Sequence, residues 1–175
     1  MRWGTPLLLV LAVVAACATP QRTRVLVPYT LAEPLDRVTL EVVNASGHEL
    51  PMPPPGLLEQ VVRLVTQQPE ADSSLADTFE RAASDRLDAM KIAVTPGATR
   101  HLRISLVGWD FHGGGAASSV VFVTAAYELL DAGGKPLWKV EQTRLPIRVN
   151  GPDLSRAEVA RIARCSIEQA FASLH

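Results

Sequence analysis

The amino-acid sequence predicts an α+β fold, a two-layer sandwich in which a mixed or antiparallel sheet of about four to five strands carries two or three helices on one face. Three observations predict it. Several segments alternate apolar and polar residues as strands do, others repeat apolar residues at helical spacing, and three long strand patterns follow one another without a helix between them. The 175-residue chain is 47% hydrophobic and 20% charged, which fits one globular domain and excludes disordered and disulfide-framework classes. Its formal net charge of −1 gives no field that would attract nucleic acid.

The amino terminus has the features of a secretory signal. Arg2 is followed by an unbroken apolar run from Leu7 to Ala16. That run is shorter than the roughly 20 apolar residues that a membrane-spanning helix needs. Residues 1–16 are therefore predicted to be a signal peptide.

Cys17 directly follows two small residues at the end of this run. The sequence Val14-Ala15-Ala16-Cys17 resembles the lipobox of bacterial lipoproteins, in which the signal is cut before the cysteine and the cysteine sulfur carries a diacylglycerol. The resemblance implies anchoring through acyl chains such as palmitate, since two or more chains give stable attachment. Ala18 resembles the residue types that leave a Gram-negative lipoprotein free to reach the outer membrane. An ordinary cleavage site beside a chance cysteine is the alternative.

The mature chain is predicted to be a tether followed by one domain. Residues 17–36 comprise the lipidated cysteine and an extended segment with three prolines. In one interpretation, Arg24–Val27 within this segment forms a strand at an edge of the sheet. The folded domain is predicted over 37–175. Its first strand is 37–43, where apolar and polar residues alternate.

Helical and strand patterns alternate in the first half of the domain. A proline-rich spacer at 51–55 predicts a stiff loop, and a short amphipathic helix is expected up to about residue 67. The clearest helix runs from Leu75 to Met90 behind the capping residues Asp72-Ser73-Ser74. A short strand is expected at 92–94.

Three long strands and a final helix complete the pattern. In the first strand, 102–111, the apolar parity changes at Gly108, which predicts a β-bulge. Strands 120–130 and 137–149 are joined by an Asp-Ala-Gly-Gly turn whose residues tolerate positive φ. Pro146 favours an edge position for the last strand. The final helix begins with the capping-box pattern Ser155-Arg156-Ala157-Glu158.

No residue set for catalysis or metal binding is evident. The four histidines lack the spacing of convergent ligands, and His101 and His112 should point to opposite faces of their strand unless the Gly108 bulge corrects the register. The run His112–Gly115 resembles the oxyanion loop of lipases, but the G-x-S-x-G elbow is absent. Asp110 and His112 are interpreted as a surface pair. No enzyme activity, metal or other cofactor is predicted.

Aromatic residues supply the candidate partner surface. Trp109, Phe111 and Trp138 are expected to cluster near one end of the sheet. An exposed cluster of this kind marks an interaction surface, whereas burial would make it part of the core. Cys165 is expected to be a small, half-buried thiol within the final helix.

The helix 75–90, the strand 101–109 and the hairpin from Tyr127 to Trp138 carry a family resemblance. With the closing helix, they resemble small envelope lipoproteins whose soluble part is like the amino-terminal domain of TolB. The group includes LPS-assembly, curli-secretion and penicillin-binding-protein activator lipoproteins and the auxiliary lipoproteins of envelope ABC transporters. The resemblance implies an α+β domain without catalytic activity.

The combined prediction is a non-catalytic outer-membrane lipoprotein that faces the periplasm and is an accessory or assembly component of a cell-envelope complex. Its predicted partners are the membrane, through the lipid on Cys17, and an envelope protein. Self-association stays open, and nucleic acid is excluded as a partner. The alternative is a periplasmic carrier or sensor that binds a small or lipidic ligand between the sheet and the helices.

Overall fold

The structure is a computed structural model of the protein. It describes residues 22–30, 34–48, 74–112, 119–149 and 154–174. Over these residues, six strands form one open mixed sheet and two helices pack against it. The elements in chain order are β1 (Thr23–Val27), β2 (Arg37–Asn44), α1 (Leu75–Ala89), β3 (Ala93–Val94), β4 (His101–His112), β5 (Ser119–Leu130), β6 (Pro136–Val149) and α2 (Arg156–Phe171).

Several predicted features lie outside the described residues. These are the signal peptide, Cys17, the proline-rich spacer, the helix expected up to residue 67 and the glycine run that follows His112. Within the described ranges, neither helix is both long enough and apolar enough to cross a membrane.

The strands lie in the order β1-β6-β5-β4-β2-β3. The three long strands form an antiparallel meander, β1 joins β6 antiparallel, and β2 runs parallel to both β3 and β4. The parallel pairing follows from the connection, because the segment between β2 and β3 contains α1 and a helical crossover returns the chain in its original direction.

The predicted α+β class is confirmed, but the sheet has six strands instead of four to five, and two helices are described. The additional edge strand is β1, which lies inside the stretch predicted as a tether and covers the interpreted edge strand at 24–27. Sequence patterning is weak there because β1 is five residues long and largely exposed.

Both helices cover the same face of the sheet, here called the inner face. Along β5, residues alternate strictly between buried and half-buried, and the buried ones point to the helices. Phe79 and Leu87 of α1 and Ile162 and Phe171 of α2 are fully buried in the same core. Each large apolar side chain buried this way stabilises the fold by about 1.5–3 kcal/mol. The opposite side of the sheet, here called the open face, carries the half-buried and exposed residues.

The predicted bulge in β4 is present. The pairing of β4 with β5 shifts between Leu106 and Gly108, so that Val107 is the extra, exposed residue. A Cβ atom on Gly108 would lie 3.3 Å from Cβ of Thr124, so glycine permits the close approach of the two strands. The bulge also reverses the facing of the residues that follow it.

Pro146 lies on an inner strand, since β6 pairs with both β5 and β1. The pairing with β1 is confined to Lys139–Gln142, however, and Pro146 lies four residues beyond it. At that point the described part of the sheet continues on one side of β6 only, through the pair with Phe122. On the β1 side of Pro146 no described strand needs an N–H donor, and a strand with one such unpaired side can accept a proline.

Serine residues begin both helices, as predicted. Ser74 Oγ accepts from the N–H of Asp77 at 3.1 Å, and the Asp77 carboxylate accepts from the N–H of Ser74 at 2.8 Å. At the start of α2, Ser155 Oγ accepts from the N–H of Glu158 at 3.2 Å. These bonds satisfy amide groups that have no partner inside a helix.

Helix α1 ends in a Schellman motif with a lysine in the left-handed position. The N–H of Ile92 donates to the carbonyl of Leu87 and that of Lys91 to the carbonyl of Asp88, at 2.9 and 2.8 Å. The φ angle of Lys91 is 61°, a conformation that glycine adopts without steric conflict.

We expect Lys91→Gly to raise the free energy of unfolding by about 0.5–1 kcal/mol, because the left-handed strain is relieved while glycine gains some entropy in the unfolded chain. Chemical denaturation measures the change. Lys91→Ala is the matched control and should have little effect, since alanine keeps the Cβ. A loss of stability in the glycine variant would contradict the argument.

Candidate functional site

Two of the three aromatic residues predicted to form a partner surface are in the core. Trp109 is 2% exposed and meets the ring of Phe79 edge-on, with 6.3 Å between centroids. Trp138 is 0% exposed, packs edge-on against Phe171 at 5.9 Å and donates from Nε1 to Ser173 Oγ at 3.1 Å.

The expected cluster near one end of the sheet is wrong, because the partners of Trp109 and Trp138 on β5, Val123 and Leu129, are six residues apart. Of the two alternatives for these side chains, burial in the core holds for Trp109 and Trp138. The reason is their register in the sheet, since Trp109 pairs with Val123 and Trp138 with Leu129, both of which point to the helices. Phe111 is 40% exposed at the end of β4. A single exposed aromatic residue is ordinary on a protein surface.

The histidines of β4 share the open face. His101 pairs with Leu130 and His112 with Val120, and both partners belong to the half-buried set of β5. The Gly108 bulge thus corrects the register that would otherwise separate them. They are at opposite ends of a 12-residue strand, and the described residues include no group of three potential ligands that could hold a metal ion.

Asp110 and His112 occupy the same face but have different partners. Asp110 Oδ2 accepts from the guanidinium of Arg144 at 3.3 Å, and the His112 ring lies edge-on to Phe122 with centroids 5.3 Å apart. The carboxylate therefore neutralises an arginine. Both residues lie on the open face, but Asp110 contacts Arg144 and His112 contacts Phe122, so the surface pair expected between the two is not formed.

Charged pairs cover much of the open face. Glu41 on β2 binds Arg103 on β4 at 3.2 Å, and Lys139 on β6 lies 2.9 Å from Glu128 and 3.4 Å from Glu141. The hydrogen bond with Glu128 is the main cause that raises the pKa of Lys139 above its ordinary value. Such cross-strand pairs contribute at most about 1 kcal/mol each, so their main effect is a polar face.

A second kind of arrangement surrounds Phe122, and we call it the arginine–phenylalanine cluster: Arg22, Asp110, His112, Phe122 and Arg144. The guanidinium carbon of Arg144 lies 4.8 Å from the centroid of the Phe122 ring, and that of Arg22 lies 5.8 Å from it. Both distances are within the range of cation–π attraction. Two guanidinium groups thus share one aromatic ring, and that of Arg144 is also paired with the Asp110 carboxylate.

Backbone geometry holds Arg144 in this cluster. Thr143 and Arg144 together oppose the single residue Thr124, and Arg144 has a φ angle of 49°. Its N–H donates to Thr124 Oγ1 at 3.2 Å, and its carbonyl accepts from the guanidinium of Arg22 at 2.6 Å. A bulge of this kind aims a side chain in a direction that a regular strand does not allow.

Sequence reasoning did not find this cluster. The only available signal was the position of Phe122 in its strand. It is an even number of residues from Thr124 and Glu128 and therefore lies on their side of β5, opposite to Val121 and Val123. The segment 120–130 is predicted as a strand rich in Val, Phe and Tyr, with no assignment of its two faces. Arg22 and Arg144 are 122 residues apart, and only the pairing of β1 with β6 brings them together.

A buried polar network lies between the sheet and α2. The Tyr127 hydroxyl is 2.7 Å from Ser166 Oγ, which donates to Gln142 Oε1 at 2.6 Å, and Gln142 Nε2 donates to the carbonyl of Ser166 at 2.8 Å. The three residues are at most 1% exposed. Burial raises the pKa of Tyr127 far above its ordinary value, so its phenol stays a neutral donor. The network joins α2 to β5 and β6 and has no access to a substrate from solvent.

An open cleft of about 400 Å³ lies beside the turn between β3 and β4. Polar residues such as Asp36, Arg37 and Arg100 line it. A hydrogen bond from Arg37 is the main cause that lowers the pKa of Asp36. The cleft is at the edge of the sheet, so it is not the enclosed apolar pocket that the carrier alternative requires.

Cys165 is a free, partly buried thiol in α2, as predicted. Its sulfur lies 4.0 Å from the guanidinium of Arg161, which also forms an ion pair with Glu158 at 2.7 Å.

Comparison with known proteins identifies a similar fold but no family. No family model matches the chain, and no curated protein matches it significantly in sequence. Among solved structures, the subunit of the PelC dodecamer from Paraburkholderia phytofirmans is 17% identical with a TM-score of 0.51, over 87% of this chain and 95% of that one. At this identity the likeness concerns the fold alone.

Solved structures with lower scores include bacterial lipoproteins, the class that the sequence resemblance implied. A putative lipoprotein from Caulobacter crescentus is 17% identical over 59% of this chain and 83% of that one, with a TM-score of 0.43. The rare lipoprotein B from Shewanella oneidensis is 11% identical over 78% and 92%, with a TM-score of 0.35. The particular families named from the sequence stay predictions.

Proposed function

We propose that the protein is a non-catalytic lipoprotein of the bacterial envelope, attached to the outer membrane through Cys17 and acting as an accessory component of an envelope assembly. The observation that carries the proposal is the sequence Val14-Ala15-Ala16-Cys17, which is followed after five residues by the first strand of a compact domain. Two or more acyl chains on the cysteine would hold the domain at the membrane surface. The outer membrane as the destination rests on Ala18.

Replacing Cys17 with serine should abolish incorporation of a clickable palmitate analogue and remove the protein from the membrane fraction. Cys165→Ser is the matched control, because it removes the other of the 2 cysteines and should leave both readouts unchanged. An uncleaved apolar leader can hold a chain at the membrane by itself. A further variant therefore combines the serine with a leader that has an ordinary cleavage site.

Persistent labelling of the Cys17→Ser variant would exclude the anchor. Membrane association of the variant with the exchanged leader would exclude it as well. Sucrose-gradient separation of inner and outer membranes then tests the destination, and recovery of the wild-type protein in the inner membrane would contradict the outer-membrane proposal.

Self-association is a second part of the proposal, and two observations favour it. PelC, whose subunit has the same fold, was solved as a dodecamer. In this chain, exposed apolar residues lie at both edges of the open sheet, with Val25 and Leu26 on β1 and Val94 on β3. Unprotected sheet edges pair readily with other strands, and different patches at opposite edges suit a head-to-tail ring.

We expect Val25→Lys to convert an assembly of copies into monomers, because a charge on an edge strand opposes strand pairing. Light scattering on the purified protein measures the mass. Val107→Lys is the control, since Val107 is also an exposed valine but lies on the inner strand β4. A wild-type protein that is monomeric across the micromolar range would contradict this part.

The carrier alternative has weaker support. Between the sheet and the helices, the described apolar side chains form one continuous buried cluster. A ligand held between the layers would have to displace parts of that core, which is packed at the density of an organic crystal in ordinary proteins.

A further inference from the structure

We propose that the arginine–phenylalanine cluster, together with Arg24 and Arg148, is a membrane-contact surface that lies on the anionic headgroups of the leaflet holding the anchor. This inference rests on the proposed function, because it takes the acyl chains on Cys17 as given. It goes beyond that function in assigning the orientation of the domain and the chemistry of the surface that meets the lipid.

Chain length limits where the cluster can lie. Five peptide units separate Cys17 from Arg22, and a fully extended chain spans at most about 3.6 Å per residue, which is roughly 18 Å in total. The backbone of Arg22 is joined to the sheet, since its carbonyl accepts from the N–H of Thr143 at 2.9 Å. Its guanidinium is joined to Arg144 in turn. The cluster therefore lies within a short, fixed reach of the lipid.

The charge of this part of the open face is complementary to an anionic leaflet. Register places Arg24 opposite Glu141 and Arg148 opposite Val120, so that both belong to the same face as Arg22 and Arg144. Four arginines are thus accompanied by the Asp110 carboxylate and by the carboxylates of Glu141 and Glu128, of which Lys139 neutralises one. A net positive surface remains on the side nearest the anchor.

The guanidinium groups of Arg22 and Arg144 are positioned in a way that suits phosphate. The bond to the Arg144 carbonyl, the ion pair with Asp110 and the contacts with Phe122 hold both groups against the open face. A guanidinium presents several N–H donors in a planar fork and binds phosphate oxygens in pairs. The Arg144 side chain is 54% exposed, so donors stay accessible.

Tethering makes a weak electrostatic attraction effective. A cluster of basic residues attracts an anionic membrane only within about one Debye length, which is ~10 Å at 0.1 M salt. The anchor keeps the surface at high local concentration beside the leaflet, so little affinity is needed to orient the domain. Length and charge thus favour lipid headgroups over a soluble partner as the occupant.

The test places a photo-crosslinking amino acid at Pro146, which is exposed on the open face between Arg144 and Arg148. The matched position is Glu80, which is exposed on α1 in the helical layer. Both full-length proteins are irradiated in cells, and adducts are identified by mass spectrometry of the membrane fraction. We expect phospholipid adducts at position 146 to exceed those at position 80 by about tenfold.

A charge-removing variant tests the chemistry. Arg144→Gln combined with Arg148→Gln should reduce the lipid adducts at position 146 by about tenfold, while the protein stays in the membrane fraction through Cys17. Arg81→Gln combined with Arg164→Gln on the helices is the control and should leave the adducts unchanged. Circular dichroism verifies that each variant is folded, and a folded Arg144→Gln, Arg148→Gln protein with unchanged adducts overturns the inference.

The remaining outcomes separate the two proposals. Three results with a membrane-bound protein would overturn the contact surface and leave the anchor intact. These are equal lipid adducts at positions 146 and 80, no lipid adduct at position 146, and a protein adduct at position 146. A protein that is absent from the membrane fraction overturns the anchor and, with it, the contact surface.

Discussion

Replacing Trp138 with alanine should lower the free energy of unfolding by about 3–5 kcal/mol. The side chain is fully buried, packs edge-on against Phe171 of α2 and donates its indole N–H to Ser173. Alanine would leave a cavity where the meander meets the helix. It would also remove the partner of a hydroxyl that otherwise bonds to the carbonyl of Ala170 at 3.2 Å.

The three aromatic residues singled out by the sequence form a natural series for this measurement. Trp109→Ala should also cost about 3–5 kcal/mol, since Trp109 is buried against Phe79. Phe111→Ala is the matched control on the same strand and should cost under about 1 kcal/mol, because its ring is 40% exposed. Urea denaturation of the three variants gives the values. Equal losses at all three positions would contradict the burial described here.

Replacing Gln142 with leucine should lower the free energy of unfolding by about 2–3 kcal/mol. The volume is nearly conserved, so the effect isolates the polar contacts. Leucine would remove the acceptor of the Ser166 hydroxyl and the donor to the Ser166 carbonyl in a site with almost no solvent access. Polar groups left without partners in such a place carry the full desolvation penalty.

An apolar triple variant is the control for the network. Tyr127→Phe, Gln142→Leu and Ser166→Ala together remove every side-chain member of it, so few buried groups are left unsatisfied. The triple variant should recover at least half of the stability that the single Gln142→Leu change removes, because replacing all partners of a buried network is much less harmful than replacing one. A triple variant less stable than the single one would show that the polar contacts stabilise the fold outright.

Strand and helix positions in this protein were readable from local patterns. The capping serines at 74 and 155, the strand boundaries and the bulge at Gly108 each depend on neighbours within a few residues. Local signals of this kind act within one turn or one strand. Signals of this kind can therefore be recognised without knowledge of the tertiary structure.

Which side of the sheet the helices cover at each position was not readable in the same way. Trp109 follows the bulge and points to the helices, whereas Asp110 and His112 point to the open face. A one-residue shift in register moves a side chain to the other side of a sheet. The parity change predicted at Gly108 put Trp109 on the apolar side of its strand, and the packing of α1 decided that this side is buried there.

The α+β class and the meander could be predicted from contiguous stretches of sequence, because periodicity and turn residues are local properties of the chain. The anchor at Val14–Cys17 is predicted on the same local basis and stays a prediction. The tertiary structure alone decided that β1 extends the sheet beside β6 and that Arg22 meets Arg144 on the Phe122 ring. A contact over 122 residues depends on the strand order, and that order follows from how the whole apolar surface is buried and not from any local segment.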